Sequence, residues 1–157
     1  MKKLNRKGFT LVELLAVIII LAIVVGLSIP AITSIINGSK NNALDTKVKA
    51  AVKYLGQQYD VYNIDTTTSA PSFQTYMTTK QGKDQELTPT DPLFTAIGFE
   101  EKNVSKVKVC VTSTGSVYVE VLAIPTTSEY YTTEHWESDG SAAKTGAKNR
   151  VGTACGE

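Results

Sequence analysis

Residues 9–29 read FTLVELLAVIIILAIVVGLSI and form the longest apolar run in the chain. A run of about 20 apolar residues is long enough for a helix that crosses the hydrocarbon core of a bilayer. Residues 14–25 have no polar stripe, whereas a helix on the surface of a soluble domain has one. The sequence therefore predicts a transmembrane helix in this segment, with Glu13 as its single charged residue.

The basic residues are unevenly placed along the chain. The 157 residues include 16 Lys and Arg and 15 Asp and Glu, but four of the basic ones precede Gly8: Lys2, Lys3, Arg6 and Lys7. Without these four, 12 basic residues face 15 acidic ones, a net charge of −3. Basic residues next to a membrane helix stay in the cytoplasm, so the C-terminal part is expected outside. The remainder is not basic enough to indicate nucleic acid as the main partner.

Glu13 is the residue that a plain anchor leaves unexplained. A carboxylate inside the membrane costs about 2.5–3.5 kcal/mol on insertion scales, so it needs a partner or a function. No basic residue lies one helical turn further along. A cut just before Phe9 would create an α-amino group about 6 Å of helix rise away from Glu13. Pairing of that amine with Glu13 across two neighbouring helices would neutralise both groups and fix the stagger between subunits.

Two simpler interpretations compete with a cut before Phe9. One is an ordinary anchor that holds a binding domain and never polymerises. The other is a secretory signal peptide, since Gly26-Leu27-Ser28 is a small-x-small triplet near the end of the run. The run is longer than a usual signal sequence, and apolar residues resume after Pro30. The second interpretation is therefore disfavoured.

Residues 7–15, KGFTLVELL, resemble the class III leader of type IV pilins and pseudopilins. The resemblance covers the chain from Lys7 to Pro30. It implies that Gly8 is the last leader residue, read by a prepilin peptidase, and that Phe9 becomes the N-methylated first residue. It also implies that Glu13 pairs with the Phe9 amine of a neighbouring subunit, and that the helix bends at Pro30.

The same resemblance implies a function and a set of partners. The chain would be the structural subunit of a type IV pilus-like surface filament that supports adhesion, motility or DNA uptake. It would be stored in the cytoplasmic membrane and then assembled with copies of itself, with the assembly platform and with minor pilins. The alternative within the family is a pseudopilin of a type II secretion or competence machine. No enzyme activity and no cofactor are expected.

Residues 31–63 show helical periodicity after Pro30. Apolar residues recur at spacings of three and four and define one face of a helix. They are Leu44, Val48, Ala51, Val52, Leu55, Tyr59 and Tyr62. The sequence predicts one long helix from Phe9 to about Tyr62. A kink is expected at Pro30, which lacks a backbone donor, and a weak point at residues 37–39, Asn-Gly-Ser.

The C-terminal part predicts a small antiparallel sheet. Residues 64–103 are expected to be a loop with short elements, and residues 104–136 a sheet. Valines alternate in 104–111 and 117–122, and the five residues between these strands favour a hairpin. A third strand is predicted near Tyr130-Tyr131 or His135-Trp136. The predicted fold class is α+β, a pilin-like fold in which the long helix packs on this sheet.

The tail, residues 137–157, has few apolar residues and is not expected to order itself. Cys110 alternates with valines, which places it on the sheet face away from the helix. Two cysteines in an exported domain commonly form a disulfide. The resemblance implies a bridge from Cys110 to Cys155 that encloses a surface loop. Two free thiols remain the alternative.

Metal and catalytic chemistry find little support. His135 is the only histidine and no CxxC occurs, which argues against zinc and thiol redox sites. Asp84, Glu86 and Asp91 lack the spacing of an EF-hand. Six basic residues could form a patch that touches DNA, although a solvated face is the favoured interpretation: Lys102, Lys106, Lys108, Lys144, Lys148 and Arg150.

Overall fold

A computed structural model describes residues 10–153 and Cys155. The predicted leader and the Gly8–Phe9 cleavage site lie outside the described residues. The chain divides into two compact units, and the boundary falls between Ile36 and Asn37. Each unit is described by itself.

Helix α1, Leu11–Ile64, is 54 residues long and confirms the long N-terminal helix. Pro30 lies inside it, and the kink expected there stays a prediction. The weak point expected at residues 37–39 is helical. The side-chain amide of Asn37 donates to Glu134 Oε2 at 3.0 Å. Tertiary contacts of this kind override low helix propensity.

The first unit presents its apolar side chains to the outside. Between Leu11 and Ile36 the exposed fractions of the large apolar side chains run from 47% at Val17 to 81% at Leu11. By length and composition, α1 is the one helix in the described part of the chain that could cross a membrane. An exposed apolar surface of this size requires a lipid or protein environment.

The second unit contains a four-stranded antiparallel sheet in the order β1-β2-β3-β4. Its strands are β1 Gln85–Leu87, β2 Lys106–Val111, β3 Val117–Ala123 and β4 Arg150–Val151. The predicted hairpin is β2–β3, in which Val109 pairs with Val119. Its turn contains Gly115 at φ +84°, and a Cβ at this position would overlap the ring of Tyr59.

The third strand predicted near Tyr130-Tyr131 or His135-Trp136 is wrong. The two tyrosines lie in turns, and Trp136 forms only an isolated bridge with Ala143. The outer positions of the sheet belong to β1 and β4 instead. Tyr130 and Trp136 are instead buried in the core, at 6% and 1% exposure. The aromatic residues of this segment therefore contribute to the core and do not mark a strand of the sheet.

The core lies between one face of α1 and the valine face of the sheet. Leu44, Val48, Ala51 and Leu55 of α1 are completely buried. The facing valines of β2 and β3 are completely buried too: Val107, Val109, Val111, Val119 and Val121. Two short helices close the sides of this core, α2 Pro71–Lys80 and α3 Pro92–Ala96. Each begins with a proline at its first turn, where the missing N–H is not needed.

The tail is held by more than a disulfide, which corrects the expectation that it has no order of its own. Asn41 of α1 is 8% exposed and donates from Nδ2 to the Gly146 carbonyl at 3.0 Å. Its Oδ1 accepts from the Lys148 N–H at 2.8 Å. Asn149 is also buried and donates from Nδ2 to the Val121 carbonyl at 2.8 Å. Buried amides therefore replace the apolar contacts that the tail lacks.

Candidate functional site

Thr10 and Glu13 form a reciprocal hydrogen-bonded pair at the start of α1. Glu13 Oε2 accepts from the backbone N–H and from the hydroxyl of Thr10, both at 2.8 Å. The backbone N–H of Glu13 donates back to Thr10 Oγ1 at 3.3 Å. This arrangement is a capping box, in which a Thr and a Glu three residues later satisfy donors that a helix start leaves unpaired.

The capping box gives Glu13 a partner within its own chain. The charge of Glu13 indicated a cation as its partner, whereas Thr-x-x-Glu is a helix-start signal that indicates Thr10. The hydrogen bonds satisfy the carboxylate oxygen but do not cancel its charge. Pairing of Glu13 with the Phe9 amine of a neighbouring subunit therefore stays a prediction, since Phe9 lies outside the described residues.

Two polar side chains in the apolar part of α1 are satisfied by the helix itself. The Ser28 hydroxyl donates to the Val24 carbonyl at 2.7 Å, and the Thr33 hydroxyl donates to the Ile29 carbonyl at 3.0 Å. A hydroxyl bonded one turn back does not need water. Ser28 and Thr33 therefore suit a hydrocarbon environment and also a packed helix interface.

Cys110 and Cys155 are joined by a disulfide whose Cα atoms are 6.1 Å apart. Cys110 is completely buried in β2, on the sheet face opposite to the core valines. Asp84 lies close to both sulfurs, so that the three residues form a cluster of metal-ligand type. Both sulfurs are committed to the bridge, and a metal ligand would have to be a thiolate. The cluster therefore offers a single carboxylate.

The basic patch considered for DNA contact is interrupted by acids. Lys106 Nζ lies 3.2 Å from Glu86, and Lys108 Nζ lies 3.7 Å from Asp84. Lys102 Nζ lies 2.8 Å from Glu100 and lowers the pKa of that carboxyl through their hydrogen bond. A row of alternating charge also crosses all four strands, through the partners Glu86, Lys108, Glu120 and Arg150. A surface of alternating sign does not attract a polyanion as a basic stripe does.

The remaining candidate residues are engaged in local structure. Asp91 Oδ2 accepts from the Thr88 N–H at 2.7 Å, which holds the turn before α3. Asp84 and Glu86 each face a different lysine, so the three acids do not act as one cluster. His135 Nδ1 lies 2.9 Å from Thr132 Oγ1. Thr132 Oγ1 also accepts from the backbone N–H of His135 at 3.3 Å, so this contact holds a local turn.

The model of the prokaryotic N-terminal methylation motif matches residues 3–29. This range includes residues 3–8 of the predicted leader, the predicted cleavage site, and the apolar run of residues 9–29 with Glu13. The match identifies a class III prepilin leader and fits the family of type IV pilins and pseudopilins, whose members are structural subunits. No curated protein and no solved structure matches the chain.

Proposed function

We propose that this chain, which carries a class III prepilin leader, is the structural subunit of a type IV pilus-like surface filament. The observation that carries the proposal is the methylation motif at residues 3–29. The motif overlaps a helix that begins at Leu11 and whose apolar side chains are exposed from Leu11 to Ile36. The motif supplies the chemistry of a new N-terminus, and the helix supplies the surface that a filament core requires.

The apolar helix suits two environments in turn. Burial of apolar surface contributes about 25 cal/mol per Å² over exposure to water. Lipid tails and neighbouring apolar helices provide this burial about equally well, because lipid is as apolar as leucine. Transfer from the bilayer to a bundle of helices therefore exposes little apolar surface to water. The precursor is held in the cytoplasmic membrane, and the same segment becomes the filament core.

Processing prepares the helix for this transfer. Removal of residues 1–8 takes away Lys2, Lys3, Arg6 and Lys7, the charges that hold the N-terminus at the cytoplasmic face. Four uncompensated cations inside a helix bundle would be strongly destabilising. The cut also leaves one α-amino group at Phe9, and the Glu13 carboxylate is its counter-ion in the neighbouring subunit. Glu13 then exchanges hydrogen bonds to Thr10 for a pair of opposite charge.

The exported unit coats the filament and does not extend by pairing of its strands. β1 has three residues and β4 has two. The Gln85 side-chain amide also donates to the Glu86 carbonyl at 2.8 Å, within β1. Short edges of this kind resist pairing with another sheet. Growth of the filament therefore depends on the helices and on side-chain contacts between copies.

The first experiment determines the N-terminus of the mature protein from native membranes. The proposal expects a chain that begins at Phe9 and carries the added mass of one methyl group. A chain that begins at Met1 or Ile29 would contradict it. Immunolabelling with antibodies to residues 64–157 then separates the family alternatives. Label along the whole length of long fibres supports a pilin, and its absence from them supports a pseudopilin or minor subunit.

A further inference from the structure

The connection from β3 to β4 is divided by charge. Residues 127–139, the acidic half, contain four acids and no Lys or Arg: Glu129, Glu134, Glu137 and Asp139. Residues 140–153, the basic half, contain three basic residues and no acid: Lys144, Lys148 and Arg150. Each half of the segment therefore carries charges of one sign only, four negative in the first half and three positive in the second.

The two halves do not neutralise each other within the chain. The four ion pairs in the described part of the chain all lie outside this segment. Lys144 donates to the Thr133 carbonyl and Lys148 to Asn42, both neutral acceptors. Glu134 and Glu129 accept from the neutral amides of Asn37 and Asn103. The charges of the segment are thus positioned by neutral groups, in contrast to the paired lysines of the sheet.

The basic half forms one wall of a groove of about 770 Å³ on the outer face of the sheet. Lys106, Lys144 and Arg150 line the groove, together with the acids Glu86 and Glu120. Glu86 is paired with Lys106, and Glu120, the cross-strand partner of Arg150, accepts from the Tyr118 hydroxyl. The groove is also lined by Leu122 and by small side chains such as Ala142 and Ala143.

The acidic half carries exposed charges that are opposite in sign to those of the basic half. Glu129, Glu134, Glu137 and Asp139 are all exposed. The backbone bridge between Trp136 and Ala143 stiffens the turn between them, which carries Glu137 and Asp139. The Glu137 N–H donates to the Ala142 carbonyl at 3.0 Å, and the Ser141 N–H donates to Asp139 Oδ1 at 2.9 Å. A preorganised acidic turn loses little entropy when it binds.

We propose that the acidic half of one copy docks into the groove formed by the basic half of a second copy. Donor and acceptor are different surfaces of the same chain, so the contact is heterologous, and it repeats along a filament where its rotation does not close a ring. The proposal rests on the proposed function, since it adds a contact between exported units to the contact between helices. Complementary charge at such a contact mainly fixes the partner and its register.

The first test compares charge variants of the full chain with controls of equal charge change. Glu137→Lys and Arg150→Gln should raise the subunit level needed for filaments by about 3- to 10-fold. The controls Glu101→Lys and Lys83→Gln alter exposed residues outside the segment and should behave as wild type. The difference from wild type should shrink as the salt concentration rises, because salt screens the exposed charges that only the wild-type contact uses. Variants that match their controls would overturn the proposal.

The second test detects the contact by carbodiimide coupling, which joins a carboxylate to a neighbouring lysine amine. Membranes that contain ¹⁵N-labelled and unlabelled full chains are treated together. We expect cross-links of mixed isotope between the acidic half and Lys144 or Lys106, and these should be lost in Glu137→Lys and Arg150→Gln. Filaments with cross-links of a single isotope only would overturn the contact and leave the filament function intact. Mixed cross-links without any filament would support the contact and overturn the filament.

Discussion

At the scale of single residues, Glu13 has one observed interaction, with Thr10, and one proposed interaction, with the amine of a neighbouring subunit. As a cap it needs only an acceptor oxygen for Thr10, and glutamine at this position of a capping box also provides one. As the counter-ion of an amine it needs its charge. A neutral isostere therefore separates the two interactions.

We predict that Glu13→Gln is inserted, cut before Phe9 and held in the membrane like wild type, but forms no filaments. Membrane fractionation, N-terminal sequencing and electron microscopy measure these three properties. Thr10→Ser, which keeps the hydroxyl, serves as the control and should form filaments. Normal filaments from Glu13→Gln would show that assembly does not use the carboxylate charge, and would contradict the pairing of Glu13 with the Phe9 amine.

Asn41 is the residue that connects α1 to the tail. Replacing it by Ala leaves the Gly146 carbonyl and the Lys148 N–H without partners. Loss of partners for buried polar groups costs about 1–3 kcal/mol. We predict a lower melting temperature for Asn41→Ala and faster amide exchange at Lys148. Asn42→Ala, one residue further on the exposed surface, should change both values much less.

Tyr118 is a titrating group on the outer sheet face. Burial, together with the hydrogen bond to Glu120, raises its pKa to about 12. The phenol of an unfolded chain loses its proton near pH 10, so the folded state holds more protons between pH 10 and 12. Stability from this group is complete below pH 10 and is lost as the pH rises towards 12. We predict that Tyr118→Phe makes this loss less steep, as measured by chemical unfolding. An unchanged pH profile would contradict the assignment.

At the scale of elements, the tail has a covalent tether and a hydrogen-bonded one. In the chain-entropy model, which is disputed, a bridge that closes about 45 residues stabilises a fold by roughly 4 kcal/mol. The double variant Cys110→Ser/Cys155→Ser should lose much of this stability. We nevertheless predict that residues 140–151 stay seated, because Asn41 and Asn149 hold them. Limited proteolysis at low temperature tests this, and rapid cleavage near Lys148 would contradict it.

Long elements were predictable and short ones were not. Helix α1 and the β2–β3 hairpin repeat their periodicity over many residues, so the pattern outweighs local exceptions. β1 and β4, with three and two residues, are too short to show alternation. The prolines that begin α2 and α3 were readable helix-start signals that the loop interpretation of residues 64–103 missed.

In the candidate site and the tail, contacts between neighbouring residues were predictable from the sequence and contacts between distant residues were not. The Thr10–Glu13 box is local and could have been recognised from Thr-x-x-Glu. The contact between Asn41 and Lys148 joins residues 107 positions apart. Patterns of neighbouring residues do not predict a hydrogen bond between residues so far apart in the sequence, because the bond depends on how the tail folds back onto α1. The charge division of residues 127–153 is visible in the sequence, but only the structure shows that its charges are not paired internally.

At the scale of the whole molecule, the buried core and the exposed apolar residues belong to different units. Every residue of the hydrophobic core cluster lies between Leu44 and Trp136. The continuous exposed apolar run ends at Ile36. We predict that a chain beginning at Asn37 folds with one cooperative transition and forms the disulfide without detergent. Gel filtration and calorimetry test this, and aggregation of the oxidised fragment would contradict it.

The disulfide between Cys110 and Cys155 also limits how far the chain can extend under a pulling force. A subunit of the proposed filament would be pulled through its helix, and β3, β4 and their connection lie inside a closed covalent ring. An open chain of about 45 residues could stretch by roughly 150 Å. In the oxidised protein the disulfide prevents these residues from extending under a pulling force. A stretched subunit can therefore lengthen only outside the ring. Reduction would convert a stiff link into an extensible one.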